Sequence, residues 1–276
     1  MINATGNRMT FEIARQSRLA KAIETTQIQI STGNRLQQPS DDPGASVRIA
    51  GIRQAQADSD VWKRNIELGS SLANQADGVL KTLNERLARV QELTIQGSSG
   101  SLPQSARDTI AAEIRAIAHE LGALSQTESS LGQPLFSSGP ARSMRFGEGI
   151  VFAPVPTSAN VFQYSGVAIT QQLETMALAV GSGNRAQLDS ALSIADGLIQ
   201  HGASVAATIG NGASRLDRLA DSNETRNVDL AAERTGLEKT DLTTAIATLN
   251  AQQLTLEAAQ SAFARINRRS LIDLLS

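Results

Sequence analysis

The two ends of the chain carry narrow stripes of apolar and small residues at heptad spacing. In residues 1–33 the stripe advances by alternate steps of four and three, through Met9, Ile13, Gln16, Ala20, Ile23, Gln27 and Ile30. In residues 240–275 two series repeat every seven residues, Leu242, Leu249, Leu256 and Phe263 beside Ala245, Gln252, Ala259 and Ile266. The spacing predicts two helices that pair as a terminal antiparallel coiled coil.

Longer helical patterns lie between the two ends. Apolar residues at helical spacing predict helices over 43–96, 102–128, 167–180 and 185–236, with Ser101 and Gln104 placed as a capping box for the second. A helix over 43–96 would be roughly 75–80 Å long, which exceeds the core of a compact domain. The pattern therefore predicts a mainly α fold in the form of an elongated helical rod.

Residues 131–166 differ from the rest of the chain in composition. This segment holds four of the seven prolines and five of the seven phenylalanine and tyrosine residues. Such a mixture is typical of short strands and turns, and predicts a small β-rich insertion. We expect three domains: a terminal coiled coil of 1–38 with 240–276, a helical rod of 39–130 with 167–239, and the insertion 131–166.

A stiff corner is predicted between the first helix and the second. Gly33 can end the first helix, and Pro39, Asp41, Asp42 and Pro43 follow it closely. Asp42 is placed to cap the next helix, with Pro43 at its first position. The two aspartates could instead hold a metal ion, but capping also explains the prolines and is favoured.

The composition offers little for catalysis or for nucleic-acid binding. The net charge is −2 with no dominant basic patch, and cysteine is absent, so thiolate metal sites are excluded. His119 and His201 lie outside any metal or acid–base motif and are expected on helix surfaces. Gly147 to Gly149 and Gly210 to Gly212 are expected to be turns or kinks. No segment is apolar for the ~20 residues that span a bilayer. We expect no enzyme, no cofactor, no nucleic acid partner and no membrane insertion.

The terminal seams are too thin to hold two helices together on their own. Glutamine and alanine bury little area, so an isolated pair scarcely offsets the entropy of ordering it. We therefore expect these helices to need other subunits as partners. The predicted assembly interface consists of Ile2, Met9, Ile23, Ile30, Leu249, Leu256, Phe263, Ile266, Leu271 and Leu274.

Three stretches resemble the flagellin superfamily. The run QISTGNRLQQPSDDP at residues 29–43 and the ending SLIDLL at 270–275 are similar to the hook–filament junction proteins of that superfamily. LARVQELTIQ at 87–96 is similar to a segment shared with filament flagellins. The resemblance covers roughly the first 130 and last 70 residues. The middle segment departs from it, since it is short and the stretch GQPLF at residues 132–136 lacks the aromatic residue that is usual before its Leu-Phe pair.

The resemblance implies a structural role outside the cell. It implies an adaptor that joins hook to filament by helical self-assembly, in contact with its own copies, a neighbouring hook-associated protein and flagellin. It also implies export through the flagellar type III apparatus without a cleaved signal peptide, aided by a chaperone on the C-terminal helix. A compact filament flagellin is the alternative, because a short middle segment is common there. A soluble helical adhesin, or an enzyme whose site has no recognisable motif, is an alternative of another class, although the sequence offers no polar cluster for the enzyme.

Overall fold

A computed structural model describes the backbone of residues 2–275 and the side chains of residues 10–265. The helices are α1 (Ile2–Thr32), α2 (Pro43–Gly97), α3 (Gln104–Leu124), α4 (Ser158–Phe162), α5 (Ile169–Ser182), α6 (Arg185–Glu238) and α7 (Leu242–Leu275). The strands are β1 (Met144–Gly147), β2 (Ile150–Phe152), β3 (Gln163–Tyr164) and β4 (Val167–Ala168). The predicted mainly α fold with a small β-rich insertion is confirmed.

The start and end of α3 differ from the sequence-based prediction. Its N-cap residue is Pro103, with extended backbone and no side-chain cap, so the predicted capping box at Ser101 is wrong. The Gln104 amide instead donates to Asp108 Oδ1 at 2.9 Å and to the Gly181 carbonyl at 2.7 Å. The helix ends at Leu124 because the chain turns there and Glu128 pairs with Pro134.

The insertion extends two residues beyond the predicted limit, to Ala168, and contains two antiparallel hairpins and one short helix. β1 pairs with β2 around Gly149, whose φ of 69° suits the glycine predicted at this turn, and β3 pairs with β4. The Thr157 hydroxyl caps α4, a helix that the sequence pattern did not predict. The Phe136 and Phe162 rings meet edge to face at 5.4 Å. Aromatic packing thus gives the insertion its own apolar contacts.

The chain forms two compact units. The terminal unit comprises Met1–Gln56 and Val228–Ser276, and the central unit comprises Ala57–Asn227, so α2 and α6 contribute to both. The core of the central unit is built from apolar faces of α2, α3, α5 and α6, including the fully buried Leu83, Ile114, Leu173, Val180 and Leu198. The domain limits expected from the sequence remain predictions.

One buried polar contact joins α2 and α6 inside the central unit. The Ser59 hydroxyl donates to Asn223 Oδ1, and Asn223 Nδ2 donates back to the Ser59 carbonyl at 3.0 Å. Both residues are buried. Because the Asn223 oxygen accepts from the Ser59 hydroxyl and the Ser59 carbonyl accepts from the Asn223 amide, the pair holds the two helices in one register at little desolvation cost.

The insertion contacts α6 through Tyr164. An added Cβ at Gly197 would lie 2.7 Å from Tyr164 Cζ, so this glycine allows the ring to approach the helix backbone. We expect Gly197→Ala to lower the free energy of unfolding of the central unit by about 1–3 kcal/mol through overpacking. Thermal or denaturant unfolding followed by Trp62 fluorescence measures this change.

Gly210→Ala is the matched control on the same helix. An added Cβ at Gly210 meets no atom within 4 Å. Alanine should therefore stabilise the central unit by roughly 0.5–1 kcal/mol through helix propensity. Equal effects of the two substitutions would show that the Tyr164 contact does not hold the insertion.

Candidate assembly surface of the terminal unit

The pairing of the two terminal helices, predicted from their heptads, is confirmed. α1 and α7 lie side by side in the terminal unit. Gly33 bonds near the start of α7, whereas Thr26 bonds Gln252 farther along it, so the helices run antiparallel. Along the contact the predicted residues Ile23, Ile30, Leu249, Leu256 and Phe263 are each half-buried.

The second stripe of α1 differs from the predicted one. Glu12, Leu19 and Thr26 are the less exposed series beside Gln16, Ile23 and Ile30, whereas Ile13 is 53% exposed. This series and the predicted series of Ile13 are one residue apart in sequence. They lie on opposite sides of the stripe formed by Gln16, Ile23 and Ile30. Hydropathy favoured the series of Ile13, but the hydrogen bond of Thr26 to α7 selects the other. In α7 the predicted Leu249, Leu256 and Phe263 are half-buried and Ala245 is buried, whereas Leu242 is exposed in the first turn.

The seam between α1 and α7 contains two polar side chains. The Thr26 hydroxyl is buried and donates to the Ala22 carbonyl at 2.9 Å and to Gln252 Oε1 at 3.2 Å. Gln16 Nε2 is also buried, and it has no hydrogen-bond partner among the described residues. A buried donor without a partner costs about 1–3 kcal/mol. The seam is therefore weak as well as narrow.

Apolar side chains also remain on the outer faces of the pair. The exposed ones are Phe11, Ile13, Ile28, Leu242, Ile246 and Leu254. Phe11, at 71%, and Leu254, at 69%, are the most exposed of them. The pair thus presents apolar surface that its own seam does not cover.

Five residues of the predicted assembly interface lie outside the described side chains. They are Ile2, Met9, Ile266, Leu271 and Leu274. The other five line the intrachain seam, as described above. The contact of all ten with other subunits remains a prediction.

The corner between α1 and α2 follows the predicted capping pattern. Asp42 Oδ1 accepts a hydrogen bond from the Ala45 amide at 3.0 Å, and Pro43 opens α2. Asp41 contacts the segment before it instead, since its Oδ2 accepts hydrogen bonds from the amides of Gln37 and Gln38, each at 2.9 Å. Both carboxylates are thus used in backbone capping. Among the described residues no group of three or more His, Cys, Asp or Glu side chains could hold a metal ion.

Arg35 lies at the centre of the corner and was missed by the sequence analysis. Its guanidinium donates to Asp42 Oδ2 from both terminal nitrogens at 3.2 Å, and to the Leu237 carbonyl at 3.3 Å. Its own carbonyl accepts from Gln29 Nε2 at 2.8 Å. One residue therefore contacts the end of α1, the start of α2 and the end of α6.

Backbone hydrogen bonds join the two chain segments that cross at this corner. The Arg35 amide donates to the Glu238 carbonyl at 2.7 Å, and the Thr240 amide donates to the Gly33 carbonyl at 2.9 Å. Gly33 has a φ of 71°, which glycine adopts without strain at the end of α1. These bonds fix the segment that leaves α1 against the segment that enters α7.

Three carboxylates of the terminal unit have lowered pKa values. The Ala45 amide, with Arg35 beside it, lowers the pKa of Asp42; the Thr244 hydroxyl and amide lower the pKa of Asp241; and the Arg48 guanidinium lowers the pKa of Glu233. Asp241 caps α7 as Asp42 caps α2. Ionised carboxylates therefore hold both helix starts.

We expect acid to loosen the terminal unit. Because each pKa is lower in the folded than in the unfolded chain, this stabilisation is complete above about pH 5 and is lost as the pH falls below about 4. Amide NMR signals of Ala45 and Thr244 during a pH titration report the two caps. Asp42→Asn keeps a capping oxygen without a titrating group, so it should abolish the acid transition at Ala45 and spare that at Thr244.

A groove lies beside the corner, within the terminal unit. Its volume is about 720 Å³, and the apolar part of its lining includes Leu36, Pro39, Pro43, Val47 and Ile49. Arg53 and Glu238, which form an ion pair at 3.0 Å, stand at its edge. Val47 is 75% exposed, so apolar surface is open to solvent here.

The two histidines take different positions. His119 is exposed on α3, as expected. His201 is half-buried instead, with Nε2 3.2 Å from the Val161 carbonyl and its ring 5.7 Å from that of Tyr164. It belongs to the contact between α6 and the insertion, so its expected surface position is wrong. No described helix is long and apolar enough to span a membrane.

Two protein-family models match the helical regions at the two ends of the chain. Residues 8–139 match the model of the bacterial flagellin N-terminal helical region, and residues 192–275 match that of the C-terminal helical region. Together the two matches cover most of the chain.

Individual relatives are distant. Flagellin A of Vibrio cholerae is 29% identical over 164 residues, which are 55% of this chain and 42% of that protein. Flagellar hook-associated protein 3 of Escherichia coli is 27% identical over 120 residues, 44% of this chain and 38% of that protein. The chain thus spans about four tenths of the length of these relatives.

A solved structure of a putative flagellar hook-associated protein from Vibrio parahaemolyticus shares the fold. It superposes with a TM-score of 0.65 at 16% sequence identity, over 72% of this chain and 100% of that one. At this identity the likeness concerns the arrangement of the helices and strands alone.

Proposed function

Because the chain belongs to the bacterial flagellin family, whose members are structural rather than enzymatic, we propose that it is a flagellar subunit that joins the hook to the filament by helical self-assembly. The described residues offer no metal cluster that would suggest another role. Its partners in this role are its own copies, a neighbouring hook-associated protein and flagellin.

The terminal helix pair is the observation that carries the proposal. The seam between α1 and α7 is thin and contains the Gln16 amide nitrogen, which has no hydrogen-bond partner among the described residues, while Phe11 and Leu254 remain exposed outside it. A free subunit gains little from this pair, but neighbouring subunits can cover its outer faces. Contacts that repeat from head to tail without closing build a helical array.

The corner favours a junction subunit over a filament subunit. Pro39 and Pro43 stiffen the segment that Asp41 and Asp42 cap, and this proline-bracketed pattern is the one that resembles junction proteins. The ending at 270–275 supports the same choice. A stiff corner suits an adaptor that holds one geometry between two different neighbours.

Location and export follow from the same role. We place the working protein in the extracellular flagellum, delivered by the flagellar type III apparatus without a cleaved signal peptide. A chaperone that covers α7 before export would keep its apolar side chains from associating early. Weak pairing of α1 with α7 favours this handover, since little stabilisation is lost when α7 is held elsewhere.

A compact filament flagellin is the second candidate. The match to flagellin A covers more of this chain than the match to hook-associated protein 3. The short insertion, with two small hairpins and one helix, also suits a compact filament subunit.

Deleting the gene separates the two candidates. If the chain is the adaptor, cells lose attached filaments while flagellin still appears in the medium; if it is the filament subunit, the major filament protein disappears. Counting copies in purified flagella is the second measurement, since a junction needs about one ring and a filament needs thousands. Absence of the chain from purified flagella contradicts both candidates.

A further inference from the structure

We propose that the groove beside the corner receives Phe11 from a second copy of the chain. The inference rests on the proposed function and specifies one contact through which the subunits assemble. It pairs this groove of about 720 Å³ with Phe11, the most exposed phenylalanine described in the terminal unit.

The groove has the chemistry of a site for an apolar side chain with basic neighbours. Its wall is apolar at Leu36, Pro39 and Val47. The Asp41 carboxylate accepts hydrogen bonds from the backbone amides of Gln37 and Gln38, which line the groove, so a negative charge lies next to this wall. An incoming aromatic ring can therefore lie on the apolar wall with positive charge beside the carboxylate.

The outer face of α1 offers the complementary surface. Phe11 is followed at helical steps of four and three by Arg15 and Arg18, so the three residues share one face. The Arg15 side chain is 64% exposed and lies 3.9 Å from Glu12, a distance that leaves it available to a second carboxylate. Phe11 is thus an apolar knob with two guanidinium groups on its own side of the helix.

The helix itself prevents Phe11 from reaching its own groove. α1 is continuous from Ile2 to Thr32, and 22 residues separate Phe11 from Gly33. At 1.5 Å per residue that distance is about 33 Å along the axis. A contact between Phe11 and the groove must therefore join two copies.

This contact is heterologous, so it can repeat. Each copy presents one knob on α1 and one groove about 33 Å away along the same helix. Because the knob and the groove are different surfaces, a bound copy keeps one of each free for the next copy. The contact therefore propagates an array instead of closing a dimer.

Cross-linking in isolated flagella tests the contact. The natural sequence has no cysteine, so an Ala14→Cys/Ala50→Cys double variant offers only the two introduced thiols and keeps Phe11 and Val47 in place. Ala14 is exposed one helical turn after Phe11, and Ala50 is exposed in the lining of the groove. A short bifunctional maleimide should join the thiol at position 14 of one copy to the thiol at position 50 of the next and give a ladder of dimers and higher multimers. Ile13→Cys/Ala50→Cys is the control, since Ile13 lies on another side of α1 and is also exposed.

The outcomes distinguish this inference from the proposed function. A ladder from the first variant and none from the control supports the contact. If the variant is present in flagella but gives no ladder, or gives a product with a different flagellar protein, the second-copy contact is wrong and the structural role stands. If the wild-type chain is absent from flagella, the role and the contact both fail.

Single substitutions give a second reading that does not depend on cross-linker geometry. Phe11→Ser and Val47→Asp should each abolish incorporation into flagella, whereas Ile13→Ser and Val228→Asp, at exposed apolar positions outside the groove, should retain it. Circular dichroism of the purified variants checks that each one keeps its helices. Normal incorporation of Phe11→Ser overturns the inference.

Discussion

Replacing Arg35 by alanine is expected to destabilise the corner of the terminal unit. The substitution removes the bonds to Asp42 and to the Leu237 carbonyl together, so the start of α2 and the end of α6 lose their common partner. Amide exchange at Arg35 and Thr240, which bond across the two crossing segments, should rise by roughly tenfold or more, since loss of a bond to a charged donor exposes the neighbouring bonds. Hydrogen exchange with mass spectrometry measures this change.

Two further variants show whether the geometry or the charge of the Arg35 side chain stabilises the corner. Arg35→Lys keeps the charge but cannot span Asp42 and the Leu237 carbonyl with one planar group, so it should behave much like alanine. Arg53→Ala removes an exposed arginine that pairs with Glu238 at the same corner. Its effect should be small, because exposed ion pairs stabilise by at most about 1 kcal/mol. Equal exchange rates in the Arg35 and Arg53 variants would refute the central role of Arg35.

The loss should extend to assembly. The groove proposed for a second copy is lined by residues on both sides of this corner, including Asn34, Pro43 and Glu238. A loosened corner cannot hold the groove open in one shape. We expect the Arg35→Ala chain to be made and exported but incorporated poorly into flagella, as quantified by its ratio to flagellin in purified filaments with basal parts attached.

Local features of this protein could be predicted from its sequence. Asp42 and Pro43 lie next to the helix that they start, so capping chemistry fixes their roles whatever surrounds them. The seam of α7 could likewise be predicted, because its residues lie in one helix and recur at a constant spacing. The β-rich insertion stands out because its prolines and aromatic residues change the local composition.

Features that depend on a distant segment could not be predicted. Asn223 is a polar residue in an exposed-looking stretch of α6, and only the approach of Ser59, 164 positions away, makes it a buried partner. Arg35 shows the same limit, because its Leu237 contact lies 202 positions away. In α1 two candidate series flanked the heptad, and the polar Thr26, which hydropathy ranks low, was selected by Gln252 of α7.

Gln16→Leu is expected to stabilise the free terminal pair and to impair its function. The change removes a buried amide nitrogen that has no hydrogen-bond partner among the described residues, and it adds apolar surface to the seam; together these should raise the stability of the pairing by about 1–3 kcal/mol. Slower amide exchange over residues 17–30 of the purified chain measures the gain. Gln27→Leu is the matched control on the same helix, since Gln27 is exposed and its change should leave that exchange unaltered.

The same variant tests why the seam is weak. If weak pairing serves export, the Gln16→Leu chain should accumulate in the cell and reach the medium more slowly, because α7 is harder to separate from α1 and to hand over. The Gln27→Leu chain adds the same apolar group to the surface. It therefore separates the effect of tighter pairing on export from that of added surface hydrophobicity. Normal export of a Gln16→Leu chain with proven slower exchange would show that the polar seam has another cause, such as fixing the register of α1 against α7.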